Sequence, residues 1–186
     1  VSAFISPPAL IVVSGPPGSG KTTLAHELAR AVGCPAVCRD EIKEGMAHAC
    51  SGFAPGEGDE LTERTLPVFF GVLRLLAEAG VTAVAEAAFQ DRAWRPQLEP
   101  FLALARVRVV HCTADPGAAY ERVMRRHARD STRRAHPDPA AGGREEYLRR
   151  FRAFDRVRLG VPSLEVDTTS GYRPGLEEIA AFAGQG

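Results

Sequence analysis

Lysine is nearly missing from this chain: of 23 basic residues, only Lys21 and Lys43 are lysines and the rest are arginines. So one-sided a choice reads as the signature of a GC-rich genome, and it draws attention to the two lysines that persist. Long hydrophobic runs are lacking too. No stretch approaches the ~20 apolar residues of a membrane-spanning helix, and residues 1–13 have neither the basic start nor the small-residue cleavage site of a secretory signal. The expectation is a cytoplasmic protein with no membrane association. Cysteine is sparse, at Cys34, Cys38, Cys50 and Cys112. The one close pair is spaced CxxxC, and no second pair completes a zinc site, so these read as buried or idle thiols. Net charge is absent overall but unevenly placed. Residues 122–158 hold twelve arginines against five acids, leaving the remainder equally negative. Positive charge gathered in one segment points to local anion handling more than to a nucleic-acid-binding face.

What the chain does have is Gly15-Pro16-Pro17-Gly18-Ser19-Gly20-Lys21-Thr22, a full match to GxxxxGK[ST]. The apolar, β-branched run Ala9–Ser14 precedes it, and Thr23–Arg30 follows with apolar residues at helical spacing. Strand, glycine loop and helix are the context this motif requires. Glycines let backbone N–H groups turn inward around the β- and γ-phosphates, and the helix N-terminus adds its positive end. Gly15, Pro17, Gly18, Ser19, Gly20, Lys21, Thr22 and Thr23 therefore form the candidate nucleotide-binding set. Lys21 should reach the β/γ oxygens and Thr22 should hold Mg²⁺. The cofactor expected is ATP or GTP with Mg²⁺.

At 186 residues and 45% hydrophobic content the chain fits one globular domain with a real core. Residues 1–8 read as a loose leader. After the first helix, to about residue 32, come a short strand over 36–38 and a helix from Glu41 to Cys50. A Gly/Pro-rich flexible loop over 51–59 leads to a long helix over 60–79. A strand over 81–85 ends at Glu86, a helix with a proline kink covers 93–105, and a strand covers 107–112. Asp115-Pro116 opens another helix by N-cap and first-turn chemistry. Polar composition over 127–143 suggests a mobile lid. A charged helix over 144–158, a strand over 163–166 and a closing helix over 175–183 complete the chain. Alternating strands and helices predict a three-layer α/β sandwich with a five-stranded parallel sheet, in a single P-loop kinase-like domain spanning 1–186 with a lid at about 127–143.

Ligands of such sheets lie at the carboxyl ends of the strands, where Asp40, Glu86 and Asp167 fall. A carboxylate opposite a γ-phosphate could take the proton of an attacking hydroxyl, and Asp40 is placed for this; its structural alternative is an N-cap of the helix it precedes. Glu86 could assist Mg²⁺ or its waters, or touch substrate, with a purely structural buried acid as the alternative. Asp167, before Thr168 and Thr169, reads as a loop-fixing residue near the base or as a ligand contact. Arg122 and Arg126 share a helix face, and Arg133 follows on the lid, so positive charge could close over a transferring phosphoryl group. Lys43 and His48 lie beyond Asp40 on a helix that could line an acceptor site, with a surface position as the alternative. Trp94, the only tryptophan, reads as core.

These residues resemble the P-loop hydroxyl kinases that include polynucleotide 5′-kinase and chloramphenicol phosphotransferase. GPPGSGKTTLA and the Arg39-Asp40 pair opening CRDEIKEGM are similar to that group's phosphate loop and Arg-Asp element. The resemblance implies Asp40 as general base, with Lys21 and Arg126 as further catalytic groups. It implies Arg122 and Arg126 on the nucleotide, and Asp167 and Thr168 in the loop bordering the base. Glu86 stands where nucleic-acid kinases of this group tend to carry aspartate, and no motifs of ring ATPases follow. An acid-rich 40–63 segment with one aromatic, Phe53, suits a small hydroxyl-bearing acceptor better than a polymer. The expected function is a small-molecule O-phosphotransferase, of the antibiotic-inactivating kind (chloramphenicol or capuramycin-like nucleoside antibiotics). Its acceptor would contact Asp40, Lys43, Glu86 and Arg133, with Thr22 and Glu86 on the metal. The alternatives are a polynucleotide or nucleoside kinase and, from another class, a nucleotide-dependent regulatory protein.

Overall fold

The computed structural model describes residues 6–56, 58–129, 135–137 and 142–184. Five parallel strands form one sheet in the order β2-β3-β1-β4-β5. They are β1 (Ala9–Ser14), β2 (Ala36–Cys38), β3 (Ala83–Glu86), β4 (Arg106–Thr113) and β5 (Ser163–Asp167). The helices between them are α1 (Lys21–Val32), α2 (Arg39–Ala49), α3 (Glu60–Glu78), α4 (Asp91–Leu98), α5 (Pro116–Arg129), α6 (Gly143–Arg152) and α7 (Leu176–Gly184).

Every residue of β1 is buried, as a central strand covered on both faces must be. Successive side chains point to opposite faces. Leu10 and Val12 pack with Phe69, Leu73, Phe89 and Leu98 under α3 and α4, while Ile11 and Val13 pack with Leu24, Leu28 and Ile179 under α1 and α7. Trp94 joins the first cluster, 5.0 Å from the Phe89 ring. This is the three-layer sandwich that the alternating pattern predicts. Strand order reverses on either side of β1, so a crevice opens at its carboxyl end, and the glycine loop leaves the sheet there.

Local departures from the sequence reading have identifiable causes. The helix expected over 93–105 is two pieces, α4 and a 3₁₀ helix at Glu99–Ala103, because Pro100 lacks the N–H a continuing α-helix would use. The charged helix expected to reach Arg158 ends at Arg152, and the following chain turns back to pair with the β3–α4 connection, where Asp91 N–H donates to Asp155 O at 3.0 Å. At the end of the segment expected as a loop, Asp59 accepts from Gly56 N–H at 3.2 Å and caps α3 through Thr62 N–H at 2.8 Å. In the expected leader, the carbonyls of Pro7 and Pro8 accept from Arg106 at 3.1 and 2.8 Å. α5 continues to Arg129, beyond the expected start of the lid. Within the lid segment, Ala135 is buried and His136 lies 3.0 Å from Glu44. Residues 130–134 and 138–141, with Arg133 among them, lie outside the described residues. Among the described residues no helix is long and apolar enough to cross a membrane.

Candidate active site

The glycine loop has no room for a side chain at Gly15 or Gly18. A Cβ at Gly15 would meet Ser19 Oγ at 2.5 Å and Cys112 O at 2.6 Å; at Gly18, where φ is +78°, it would meet Ala119 O at 2.4 Å. Gly20 caps α1 in the left-handed conformation, so Lys21, Thr22 and Thr23 form the first helical turn and their N–H groups face the crevice end. Ser19 is fully buried and its hydroxyl has no hydrogen-bond partner among the described residues.

Lys21 and Glu86 meet at the bottom of the crevice. Strand register sets Glu86 beside Val13 on one side and Cys38 on the other. Its carboxylate is 1% exposed and its Oε1 lies 3.7 Å from Lys21 Nζ. Burial drives the Glu86 carboxyl above the ordinary carboxylate range, Lys21 pulls it back, and the nearby negative charge of Asp40 pushes it up again. Thr22, in the first turn of α1, draws the same carboxyl back down, and Glu86 Oε2 has no hydrogen-bond partner among the described residues. A buried, unpartnered carboxylate oxygen beside a hydroxyl, within the field of a second carboxylate, is a donor set that suits a hard divalent cation such as Mg²⁺.

Asp40 is not the N-cap of its helix. Cys38 occupies that position with extended backbone, and Asp40 lies in the first turn of α2, where its charge complements the helix dipole. It pairs with Arg39 Nη1 at 3.0 Å and keeps a third of its side chain exposed. Lys43, expected either at the surface or on an acceptor, is 1% exposed. Its ammonium donates to Asp59 at 2.7 Å and Thr62 at 2.9 Å, and lies 5.8 Å from the Phe53 ring centre. Burial raises the Asp59 carboxyl, but the Lys43, Thr62 and Gly56 hydrogen bonds outweigh it and hold the group at about 2. His48 is exposed on the same helix.

On the other flank, Arg122 spends its guanidinium on backbone. Nη2 donates to Thr168 O at 2.8 Å and Thr169 O at 2.7 Å, and Nη1 reaches Gly18 O at 3.4 Å. The Thr168 hydroxyl bridges Ser19 O at 2.8 Å and Thr113 O at 3.0 Å. Asp167 accepts Thr169 N–H at 2.7 Å, closing its loop, and the Thr169 hydrogen bonds hold its carboxyl below the usual range. These contacts fasten the β5–α7 loop to the glycine loop. Arg126, one turn beyond Arg122, is exposed. Asp40, Glu86, Lys21 and Thr22 thus form one cluster, and Arg122, Thr168 and Asp167 form a second across the loop. Lys43 faces away from both toward α3.

Sequence reasoning did not find Tyr147, whose phenol donates to Pro17 O at 2.6 Å and tethers α6 to the glycine loop. Burial pushes that phenol up to about 12. No local signal distinguishes one tyrosine in a charged helix. A cavity of about 280 Å³ opens between Gly15–Pro16, the end of β4 and Phe151–Arg156. Neither Asp40 nor Glu86 lines it, so it lies beside the cluster and not over it.

A family model described as an AAA domain, AAA_33, matches residues 10–152. No curated protein matches the chain in sequence. Among solved structures, a candidate kinase from Chloroflexus aurantiacus J-10-fl superposes with a TM-score of 0.81 at 23% identity, covering 95% of this chain and 97% of that one. A sugar kinase from Janibacter sp. HTCC2649 gives 0.60 at 22% identity, covering 94% and 91%. The tunicamycin resistance protein of Deinococcus radiodurans gives 0.58 at 19% identity, covering 97% and 98%. These likenesses are likenesses of fold.

Proposed function

The chain belongs to the AAA_33 family of AAA domains, and from that membership together with the site geometry we propose that it is a phosphotransferase, moving the γ-phosphoryl group of ATP or GTP to a hydroxyl of a small molecule. The observation that carries this reading is the cluster of Lys21, Glu86 and Asp40 at the carboxyl ends of β1, β3 and β2. The loop N–H groups and Lys21 hold the phosphates and neutralise charge that develops on them. Asp40 accepts the proton of the attacking hydroxyl, a role its partial exposure suits because an acceptor must reach it. Thr22 and Glu86 would hold Mg²⁺, which supplies Lewis-acid neutralisation of the phosphates. Arg122 shapes the base-side wall through backbone contacts, and Arg126 from α5 with Arg133 from the lid segment would supply positive charge to the transferring group.

The acceptor is proposed to be small, and an antibiotic hydroxyl is the specific candidate. Fold neighbours named sugar kinase and tunicamycin resistance protein support a small acceptor without identifying it. Phosphate transfer from labelled ATP and GTP to a panel of antibiotics, sugars, nucleosides and 5′-hydroxyl oligonucleotides tests the reading. Label is expected on one small molecule, and Asp40→Asn should cut transfer by at least ~10²-fold while triphosphate binding stays nearly intact. Label on oligonucleotides alone, or a mutant that loses triphosphate affinity, would sink it.

A further inference from the structure

α1, β2 and α2 bring together three side chains that the phosphotransfer reading leaves unused. His26 lies one turn beyond Thr22 on α1, Cys38 ends β2, and Glu41 lies in the first turn of α2. His26 Nε2 is 2.6 Å from Glu41 Oε1 and 3.7 Å from Cys38 Sγ, and all three ligand atoms fall within 4.8 Å of one another. We propose that His26, Cys38 and Glu41 form a binding site for a divalent transition-metal ion of the zinc class, with water completing a tetrahedron.

The distances fit that occupant. Zinc–sulfur and zinc–nitrogen bonds of about 2.3 and 2.05 Å place tetrahedral ligands roughly 3.6 Å apart, close to the 3.7 Å between Cys38 and His26. The His26–Glu41 separation is that of a hydrogen bond and must open by roughly 0.8 Å to admit an ion with such bond lengths. Glu41 can supply this motion, since its side chain is 47% exposed on the helix surface. Cys38, by contrast, is 2% exposed and fixed by the sheet. Mixed sulfur, nitrogen and oxygen donors select Zn²⁺, Co²⁺ or Cu²⁺ over Mg²⁺, which prefers oxygen alone. Burial and the negative charges of Glu86 and Glu41 push the Cys38 thiol above the usual thiol range, so an incoming cation must displace a firmly held proton, and it meets negative charge on two sides as it does. Binding replaces the thiol proton and the shared His26–Glu41 proton with the metal, and both protons go to water. Three separate elements become joined, among them the helix that follows the glycine loop and the helix that carries Asp40.

The test uses the reduced, metal-free full chain and Co²⁺ as a spectroscopic probe, with no phosphotransfer assay involved. One equivalent of Co²⁺ should produce sulfur-to-metal charge-transfer absorption and the visible bands of a tetrahedral ion. Zn²⁺ should erase these bands and excess Mg²⁺ should not. Cys38→Ser should abolish the charge-transfer band, and His26→Ala and Glu41→Gln should each weaken Zn²⁺ binding by at least about 10-fold, the low end for loss of a group supporting a metal. Should Cys38→Ser fail to fold, Glu41→Gln at the helix surface carries the test. No charge-transfer band at one equivalent overturns the site. So does a band that persists in Cys38→Ser, which would come from Cys34, Cys50 or Cys112. Unchanged affinity in both His26→Ala and Glu41→Gln would also overturn it.

Discussion

Lys43 is a buried cation outside the phosphate loop whose stability depends on its partners. An ammonium 1% exposed is tolerable only because Asp59 and Thr62 accept from it. Lys43→Met should therefore cost about 3–5 kcal/mol by leaving the Asp59 carboxylate uncompensated, read as a drop in urea midpoint. Adding Asp59→Asn should recover a large part of that loss, because asparagine is neutral and still caps α3 through Thr62 N–H. No recovery would mean that the pair is not what Lys43 contributes. The same carboxylate gives a pH dependence with a definite sign. Its folded value of about 2 lies below the ordinary 3.8, so the native state favours the ionised form. The stability this supplies is complete above about pH 4 and is lost as pH falls through about 2. The urea-midpoint gap between wild type and Asp59→Asn should stay level from pH 7 to 5 and shrink toward pH 2. A gap that widens with acid would contradict the assignment.

Among the elements, the glycine loop has the tightest clearances. Gly18 has a positive φ and α5 presses against it, with Ala119 O 2.4 Å from where a Cβ would stand. Gly33 has nearly the same φ, at +79°, with open space around it. Gly33→Ala should cost roughly 1–2 kcal/mol of stability through backbone strain alone and leave triphosphate affinity unchanged. Gly18→Ala adds a backbone collision that pushes α5 from the loop, so triphosphate affinity should fall at least ~10-fold by calorimetry, within the range of such local strain. Equal effects of the two substitutions would show that the α5 contact does not matter. Elements of this kind were legible in the sequence to different degrees. β1, the glycine loop, β2 and α3 follow from hydrophobic period and punctuation, which are local signals. The cap at Cys38, the pairing of Lys43 with a residue sixteen positions on, and the reach of Tyr147 across 130 positions to Pro17 are tertiary facts. No window of sequence contains both partners in a recognisable pattern. The lone His26 and the CxxxC spacing likewise concealed a three-residue cluster, because α1, β2 and α2 converge only in the folded chain.

On the scale of the whole molecule, the zero net charge conceals a dipole. Eight of the twelve arginines of residues 122–158, and two of its five acids, lie on α5 and α6, and both helices touch the glycine loop, through Arg122 at Gly18 and Tyr147 at Pro17. A triphosphate approaching the crevice should be drawn by this positive side. Its association rate should fall roughly 10-fold between low salt and ionic strengths that screen beyond a few ångströms, as steered encounters do. Stopped-flow fluorescence with a labelled nucleotide measures it, and a rate indifferent to salt would remove steering from the account. The Tyr147 tether carries a further consequence. A phenol fixed to the carbonyl of the residue before Gly18 makes the order of α6 and the shape of the phosphate loop parts of one equilibrium. Reciprocity then holds: whatever occupies the loop slows amide hydrogen exchange along α6, and whatever loosens α6 shortens the residence time of the occupant.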